Sequence, residues 1–322
     1  MIPDTKAVAV RRSRSSECVK KLPVIATLCL GLSAVPAVAE EWGRTYDKAW
    51  VRYLYPQDEE QWWWDDEWWN DGRISVPVNH DVVVEQTAYH NGDKEIPAYL
   101  MRPDDGNKHP GVIFVHGRRG LDDLTLRHPR RLAARGFVVL VPDLWFANFI
   151  DKFPIEHDPV VEEDVALGID FLRTLPVLSG KRICAVSHTR GGYISLRALV
   201  TYERQESAVA CWVSYYPHLQ DPNLPEPMQI YRYAPEADEL RVPALIFFGE
   251  HEQYQRHRPI TSVYESLKKK GRDIRLIVYP GVGRGFDFRP RHVRTFADEL
   301  AAKDAVQRTA TFLRKHLEAD AP

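Results

Sequence analysis

Cysteine is scarce in this chain, with four residues among 322, and no cysteine has the spacing from histidine that zinc sites require. The sequence therefore gives no evidence for a zinc site, and it implies no cofactor. An excess of one charge is also missing, since 43 basic and 45 acidic residues leave a formal net charge of -2. A balance so close to neutral gives no reason to expect a nucleic-acid or membrane-surface partner.

Residues 1–39 have the layout of a secretory signal peptide. A basic region precedes an apolar run that is too short to span a bilayer comfortably, and the run ends in the sequence AVA at residues 37–39. An uncleaved anchor is the alternative interpretation. We expect a mature protein that begins near Glu40, is periplasmic or secreted, and has no membrane attachment after cleavage.

Two cysteines, Cys184 and Cys211, remain after the expected cleavage. Each lies in an apolar run that is typical of a buried strand. Buried free thiols are one interpretation, and a disulfide between neighbouring strands is the other. The sequence does not decide between them.

Residues 40–79 form an acidic arm that is rich in tryptophan. Seven of the nine tryptophans fall between Trp42 and Trp69, in a stretch with no clean period. One interpretation is that the arm packs over the main domain with its indoles in a groove. The other is that it binds a partner protein or a sugar. The candidates for partner binding are Trp62, Trp63, Trp64, Trp68 and Trp69.

Residues 80–318 alternate short apolar runs with segments of helical spacing. The first two runs flank an Asn-Gly turn and predict a hairpin. The later alternation of strands and helices predicts a mostly parallel sheet with helices on both faces. The expected fold class is thus α/β, in one domain.

The stretch SHTRGG, residues 187–192, follows one predicted strand and begins a helix. Small residues around a tight strand-to-helix turn are typical of the elbow that presents a catalytic nucleophile. In this elbow the residue at the tip is Thr189. Sheets of this kind bind ligands at the carboxyl ends of their strands, so candidate site residues are also expected at the other strand ends.

Three further strand ends carry candidate site residues. The loop FVHGRRGL places Gly117 and Arg118 where backbone amides, together with that of Arg190, would form an oxyanion hole. Glu252 lies three residues beyond the glycine that ends another strand, which suits the acid of a triad. Arg284 occupies the loop after the last strand, where the base would be.

These motifs, in this order, resemble the dienelactone hydrolase family of α/β-hydrolase-fold enzymes. The resemblance is carried by PGVIFVHGRRGL, RLAARGFVVLVPDLW, the glycine pair after the elbow, FFGEHE and YPGVGRGFDFRP. It implies hydrolysis of carboxylic esters or lactones by a triad at Thr189, Glu252 and residue 284. The chain departs from the family pattern at Thr189 and at Arg284, and also at Ser187 before the tip.

The departures change the expected chemistry. Threonine carries a hydroxyl, but its branched Cβ crowds a sharp elbow, and an internal threonine lacks the free amine that such nucleophiles use. A guanidinium stays protonated and cannot act as a base. Four other histidines are candidate replacements, although each is more often a surface or hydrogen-bonded residue: His188, His218, His251 and His292.

Three functions follow as alternatives. The first is a protein with lost or strongly altered hydrolysis that binds a small anion between Arg190, Arg284 and the oxyanion loop. A plain salt bridge between Arg284 and Glu252 is the structural alternative to that anion site. The second is an active ester or lactone hydrolase that uses Thr189 with another base. The third is a partner-binding protein that acts through the tryptophan-rich arm.

Overall fold

The alternation of apolar runs and helical segments becomes an alternation of strands and helices in the structure. The computed structural model describes residues 79–318. The strands are β1 (Val82–Asn91), β2 (Lys94–Pro103), β3 (His109–Val115), β4 (Val138–Pro142), β5 (Leu178–His188), β6 (Val209–Tyr215), β7 (Ala244–His251) and β8 (Ile274–Gly283). The α-helices in this range are α1 (Asp123–Ala133), α2 (Leu144–Ala147), α3 (Val160–Thr174), α4 (Gly191–Val200), α5 (Arg204–Ser207), α6 (Tyr254–Lys269) and α7 (Phe296–Glu318).

The predicted signal peptide at 1–39 and nearly all of the arm at 40–79 lie outside the described residues. Their assignments therefore stay predictions. Between residues 79 and 318, no helix combines the length and the apolar character that crossing a bilayer requires.

All eight strands belong to one sheet, in the order β1-β2-β4-β3-β5-β6-β7-β8. Strands β3 to β8 run parallel, whereas β2 is antiparallel to both β1 and β4. The predicted hairpin joins β1 to β2, and Gly92 in its turn has a φ of 57°, a conformation that glycine adopts without steric cost. The predicted fold class, a mostly parallel α/β sheet, is confirmed.

The central strands explain why their apolar runs are continuous. Every residue of β4 and of β6 is buried. Side chains of a strand alternate between its two faces, so both faces of the sheet are covered there. A polar residue at alternate positions would place unpaired groups in the core, which is why these runs lack the alternation of a half-exposed strand.

A disulfide links the neighbouring strands β5 and β6. Cys184 and Cys211 are paired directly across the ladder, and both are fully buried. Their Cα atoms lie 4.8 Å apart, and their sulfur atoms are bonded. Of the two interpretations left open by the sequence, the structure contains the disulfide.

One helix begins earlier than its pattern predicts. The helical spacing of TSVYESLKKKG predicts a start at residue 261, whereas α6 begins at Tyr254 and continues through Pro259. Proline lacks a backbone N–H and so removes one helical hydrogen bond, which is why a sequence pattern is read as ending there. The additional turn matters for the site, because it carries Arg256.

Candidate active site

The elbow between β5 and α4 has the predicted backbone geometry. Thr189 has a φ of 52°, a left-handed conformation that is rare for a branched residue. Three backbone hydrogen bonds hold it: its N–H donates to Tyr215 O at 3.0 Å, and its carbonyl accepts from Gly192 and His218 at 3.0 and 2.9 Å. A side chain at Gly191 would place its Cβ 2.3 Å from Val115 O, so glycine is required for this close approach.

The hydroxyl of Thr189 is not paired with a base. Its Oγ1 is buried and has no hydrogen-bond partner among residues 79–318. It lies against the Cα of Gly117, since a Cβ built on that glycine would be 1.8 Å from the oxygen. The predicted neighbours Gly117 and Thr189 are therefore in contact, but the proton-accepting partner that a nucleophile needs is missing from this contact.

The acid and base positions of the predicted triad do meet. Arg284 Nη1 donates to Glu252 Oε2 at 2.9 Å, and the other carboxylate oxygen accepts from the N–H of Gln253 at 2.9 Å. The guanidinium also lies 5.1 Å from the ring centroid of Tyr216. Arg284 Nη2 remains buried without a partner in the described part of the chain. The salt bridge expected as one alternative is present, and it leaves one donor unused.

The arginines predicted around the oxyanion loop fasten a neighbouring segment. Arg118 donates to Pro154 O at 2.7 Å and to Phe153 O at 2.9 Å. Arg190 donates to Ile155 O at 2.6 Å and also to the carbonyl of Glu156. Because these acceptors are neutral carbonyls, the two positive charges hold the segment in place without being neutralised by it.

His116 fixes the start of the oxyanion loop. Its Nδ1 lies 2.9 Å from Gly117 O, and its Nε2 accepts from the N–H of Leu144 at 3.1 Å. One nitrogen donating and the other accepting corresponds to the neutral imidazole. Burial lowers the pKa of His116, which favours the same neutral form. The histidine is thus a structural part of the loop.

A cavity of about 570 Å³ lies beside the elbow. Its lining residues come from the segment between α2 and α3, the start of α3, the helix α4 with Arg190 before it, the loop after β6 and the start of α6. They include Ile155, His157, Glu162, Arg190, Tyr193, Arg197, His218, Gln220, Gln229 and Arg256. Only Arg190 and His218 among these were candidates from the sequence.

His218 marks the positive side of this cavity. Burial lowers the pKa of His218 well below its ordinary value, and the charges of four arginines lower it further. These are Arg284, Arg256, Arg190 and Arg118. The imidazole is consequently neutral, and its environment disfavours any added proton.

Arg256 is the cation that the sequence analysis missed. It donates to Gln220 Oε1 at 3.1 Å and to Gln253 Oε1 at 3.2 Å, both of which are uncharged acceptors. Burial and then the charge of Arg284 lower the pKa of Arg256 to about 10. Burial, followed by the charge of Arg118, does the same to Arg190. The only sequence signal for Arg256 was its position four residues after Glu252.

The opposite wall of the cavity is neutralised. Arg197 donates to Glu162 Oε2 at 2.8 Å and also bonds Glu236. His157 Nε2 lies 2.7 Å from the other oxygen of the buried Glu162. With two carboxylates against one guanidinium, this wall offers no free positive charge.

The remaining candidate bases lie away from the cavity. His251 and His292 are exposed, whereas His188 is buried and its Nε2 lies 2.9 Å from Asp287 Oδ2. Tyr216 donates to the other oxygen of Asp287. His188 therefore faces the protein interior, and His218 is the one of the four candidates that lines the cavity.

The group formed by His128, His188 and Asp287 brings three nitrogen and oxygen atoms within 4.8 Å of one another. Such a set could hold a metal ion. Both carboxylate oxygens, however, already accept hydrogen bonds from Tyr216 and His188. Burial lowers the pKa of His128 to about 3, so it is neutral beside the carboxylate. The hydrogen bond from His188 to Asp287 links the elbow to the loop after β8.

Residues 96–317 match the family model of the dienelactone hydrolase family. Among curated proteins, the protein usf of Aquifex pyrophilus is 24% identical over 241 residues, covering 70% of this chain and 96% of that protein.

Solved structures show the same fold. A Klebsiella pneumoniae protein assigned as a dienelactone hydrolase superposes with a TM-score of 0.61 at 19% identity, covering 73% of this chain and 100% of its own. The dienelactone hydrolase-like promiscuous phosphotriesterase P91, from metagenomic libraries, has a TM-score of 0.56 at 16% identity, covering 73% and 98%.

Proposed function

The chain belongs to the dienelactone hydrolase family, and we propose that it is a member with lost or strongly altered hydrolysis whose cavity binds a small organic anion. A small-molecule ligand is what the family suggests. The observation that carries the proposal is the ion pair of Arg284 with Glu252 at 2.9 Å, in the position of the catalytic base.

The loss of triad chemistry follows from proton transfer. Ester cleavage by a hydroxyl requires a group that takes its proton and later returns it to the leaving alcohol. Arg284 is permanently protonated and can only donate. The hydroxyl of Thr189 is buried against Gly117 and has no partner among the described residues. Without a base, only the oxyanion hole and substrate binding could contribute to the rate.

Anion binding follows from the donors that the structure leaves unused. Arg284 Nη2 has no partner in residues 79–318, and Arg256 has only neutral acceptors. The neutral His218 beside them is an additional donor or acceptor. Guanidinium groups match carboxylate and phosphate in a planar, two-point arrangement. A bound carboxylate would add negative charge beside Arg256, whose own hydrogen-bond acceptors are both neutral.

The first test is turnover of p-nitrophenyl acetate by the wild type beside Thr189→Ala. We expect equal rates near the uncatalysed background, because Thr189 has no base. High wild-type turnover that disappears in Thr189→Ala would refute the proposal. It would instead favour the alternative of an active hydrolase, with His218 as the base that lines the cavity.

A second test restores the missing chemistry. The double variant Thr189→Ser/Arg284→His should gain measurable ester turnover, since Glu252 is in place to orient a histidine at 284. The single variant Thr189→Ser is the matched control and should stay at background. Equal activity in both variants would show that residue 284 does not limit the reaction.

The anion site is tested separately by thermal unfolding with sulfate or succinate. A ligand that binds only the folded state raises the melting temperature. The shift should be present in the wild type and absent in Arg284→Ala. Arg241→Gln is the control, because Arg241 pairs with Glu206 at a site where both side chains are 55% exposed. An unchanged shift in Arg284→Ala would remove Arg284 from the site.

We also propose that the protein acts outside the cytoplasm after residues 1–39 are removed. The buried disulfide of Cys184 and Cys211 supports this, since disulfides persist mainly in oxidising compartments. Amino-terminal sequencing of protein from fractionated cells should give a start near Glu40. A start at Met1 in the cytoplasmic fraction would contradict it. Partner binding by the tryptophan-rich arm stays a prediction.

A further inference from the structure

Five exposed apolar side chains belong to the chain segments that line the cavity, and we name them the apolar rim. They are 49% to 87% exposed: Phe153, Ile155, Met228, Tyr231 and Tyr254. Each lines the cavity or lies within two residues of a residue that does. Large apolar side chains grouped at this exposure normally face another surface. The rim is therefore a candidate contact surface around the positive cavity.

Part of the rim is held in its exposed position. Phe153 has a φ of 61°, its N–H donates to Arg118 O at 2.7 Å, and its carbonyl accepts from Arg118 Nη2. Ile155 is fixed in the same way, because Arg190 donates to its carbonyl at 2.6 Å. Charge-assisted hydrogen bonds from Arg118 and Arg190 thus hold the backbone of the two residues that carry these exposed side chains.

The chain itself contains a segment with complementary chemistry. Residues 57–71 contain five tryptophans and seven acidic residues, with no lysine or arginine. Indoles suit an apolar rim, since each combines a large apolar face with one N–H donor. The acidic residues suit a cavity lined by Arg190 and Arg256, which donate only to uncharged acceptors.

The length of chain before β1 allows this contact. His80 donates its N–H to Ala134 O at 2.7 Å, and its ring packs edge-on against His109, the first residue of β3. The described chain thus starts at the amino edge of the parallel strands, and the cavity lies at the carboxyl edge. An extended chain spans about 3.3–3.6 Å per residue, so residues 62–79 reach roughly 60 Å. That reach exceeds the length of any strand of the sheet.

We infer that residues 57–71 bind the apolar rim of the same chain and place acidic side chains over the positive cavity. The inference does not depend on the proposed function, because a contact can be measured without a ligand or turnover. A second copy of the chain or another protein are the alternative occupants.

Photocrosslinking of the full chain tests this contact. The photoreactive residue p-benzoylphenylalanine is introduced in place of Ile155 and, in a separate protein, of Tyr254. After irradiation, the monomeric band is digested with trypsin and analysed by mass spectrometry. We expect both positions to crosslink to the tryptic peptide of residues 53–73 within one chain. Two positions are used so that the test still holds if one of the substitutions disturbs folding.

The matched control is the same photoreactive residue in place of Phe296, which is 77% exposed and lies outside the rim. This position should give no crosslink to residues 53–73. Replacing the five tryptophans of the segment by serine should abolish the crosslinks from positions 155 and 254. Crosslinks found only between two copies, only to other proteins, or equally from position 296 would overturn the inference.

Discussion

Two walls of one cavity use arginine in opposite ways. On one wall, Arg197 lies between Glu162 and Glu236 and bonds both. On the other, Arg256 bonds only the uncharged oxygens of Gln220 and Gln253. Hydrogen bonding to Glu162 raises the pKa of Arg197 despite its burial, whereas burial and Arg284 lower the pKa of Arg256.

The comparison separates charges that stabilise the fold from charges that remain available. A buried ion whose counter-charges are supplied by the chain contributes to the structure and has nothing left to offer a ligand. A buried cation without a counter-charge costs free energy, and a bound anion removes that cost. The two walls should therefore respond differently to removal of a charge.

Removing a carboxylate from the neutralised wall should have the largest effect on stability. Glu162→Ala leaves Arg197 and His157 without their shared, buried carboxylate, and we expect a loss of about 3–5 kcal/mol in the free energy of unfolding. Urea unfolding followed by circular dichroism measures it. A matched change at the surface, Glu206→Ala, removes an exposed pair and should cost about 1 kcal/mol or less. Equal costs for the two variants would mean that burial of Glu162 does not matter.

Removing the unneutralised charge should instead weaken ligand binding. For Arg256→Gln we expect stability to be unchanged or higher, since a repelled cation is lost. Affinity for sulfate or succinate should fall by about 1.5–3 kcal/mol, which is the size of a hydrogen bond to a charged group. Isothermal titration calorimetry on Arg256→Gln and Arg197→Gln distinguishes the walls. Lower stability of Arg256→Gln with unchanged affinity would assign Arg256 a structural role.

The sequence predicted the fold well because its signals are local. The continuous apolar runs of β4 and β6 and the Asn-Gly turn before β2 each indicate one element, and the structure contains them. The sequence signal for the elbow was equally local, since its small residues are adjacent in SHTRGG. Most contacts between residues far apart in the sequence were not predicted. Nothing in the sequence shows that Arg197 meets Glu236 or that Arg118 and Arg190 donate to the segment at 153–156.

The hydrogen-bond and ion-pair partners of each candidate residue decide what it can do. These partners are determined by the whole fold. Glu252 and Arg284 were identified by position, but their 2.9 Å contact and the unused Nη2 of Arg284 come from the structure. His218 was one of four equivalent candidates until the fold placed it among four arginines. Arg256 was missed because the predicted helix began at residue 261, whereas the helix in the structure begins at Tyr254.

The smallest expected effect concerns the pH dependence of His218. Its pKa in the folded protein is lowered, first by burial and then by the four arginines. Unfolded histidine takes up a proton below about pH 6.5, and folded His218 does not, so this residue lowers stability as pH falls below that value. A bound anion opposes the arginines and raises the pKa of His218. Ligand binding should therefore take up a proton at pH values below the pKa that His218 has in the complex, and there affinity should increase by up to about tenfold per pH unit as the pH falls.

Calorimetric titration with sulfate, a dianion throughout this range, between pH 8 and pH 5 measures that slope. Sulfate does not itself gain a proton there, so the uptake must come from the protein. In His218→Gln the affinity should become nearly independent of pH, because the titrating group is gone and the arginines remain charged. A slope that persists in His218→Gln would place the proton on another group. A slope that is absent from the wild type would mean that the anion binds away from His218 and its four arginines.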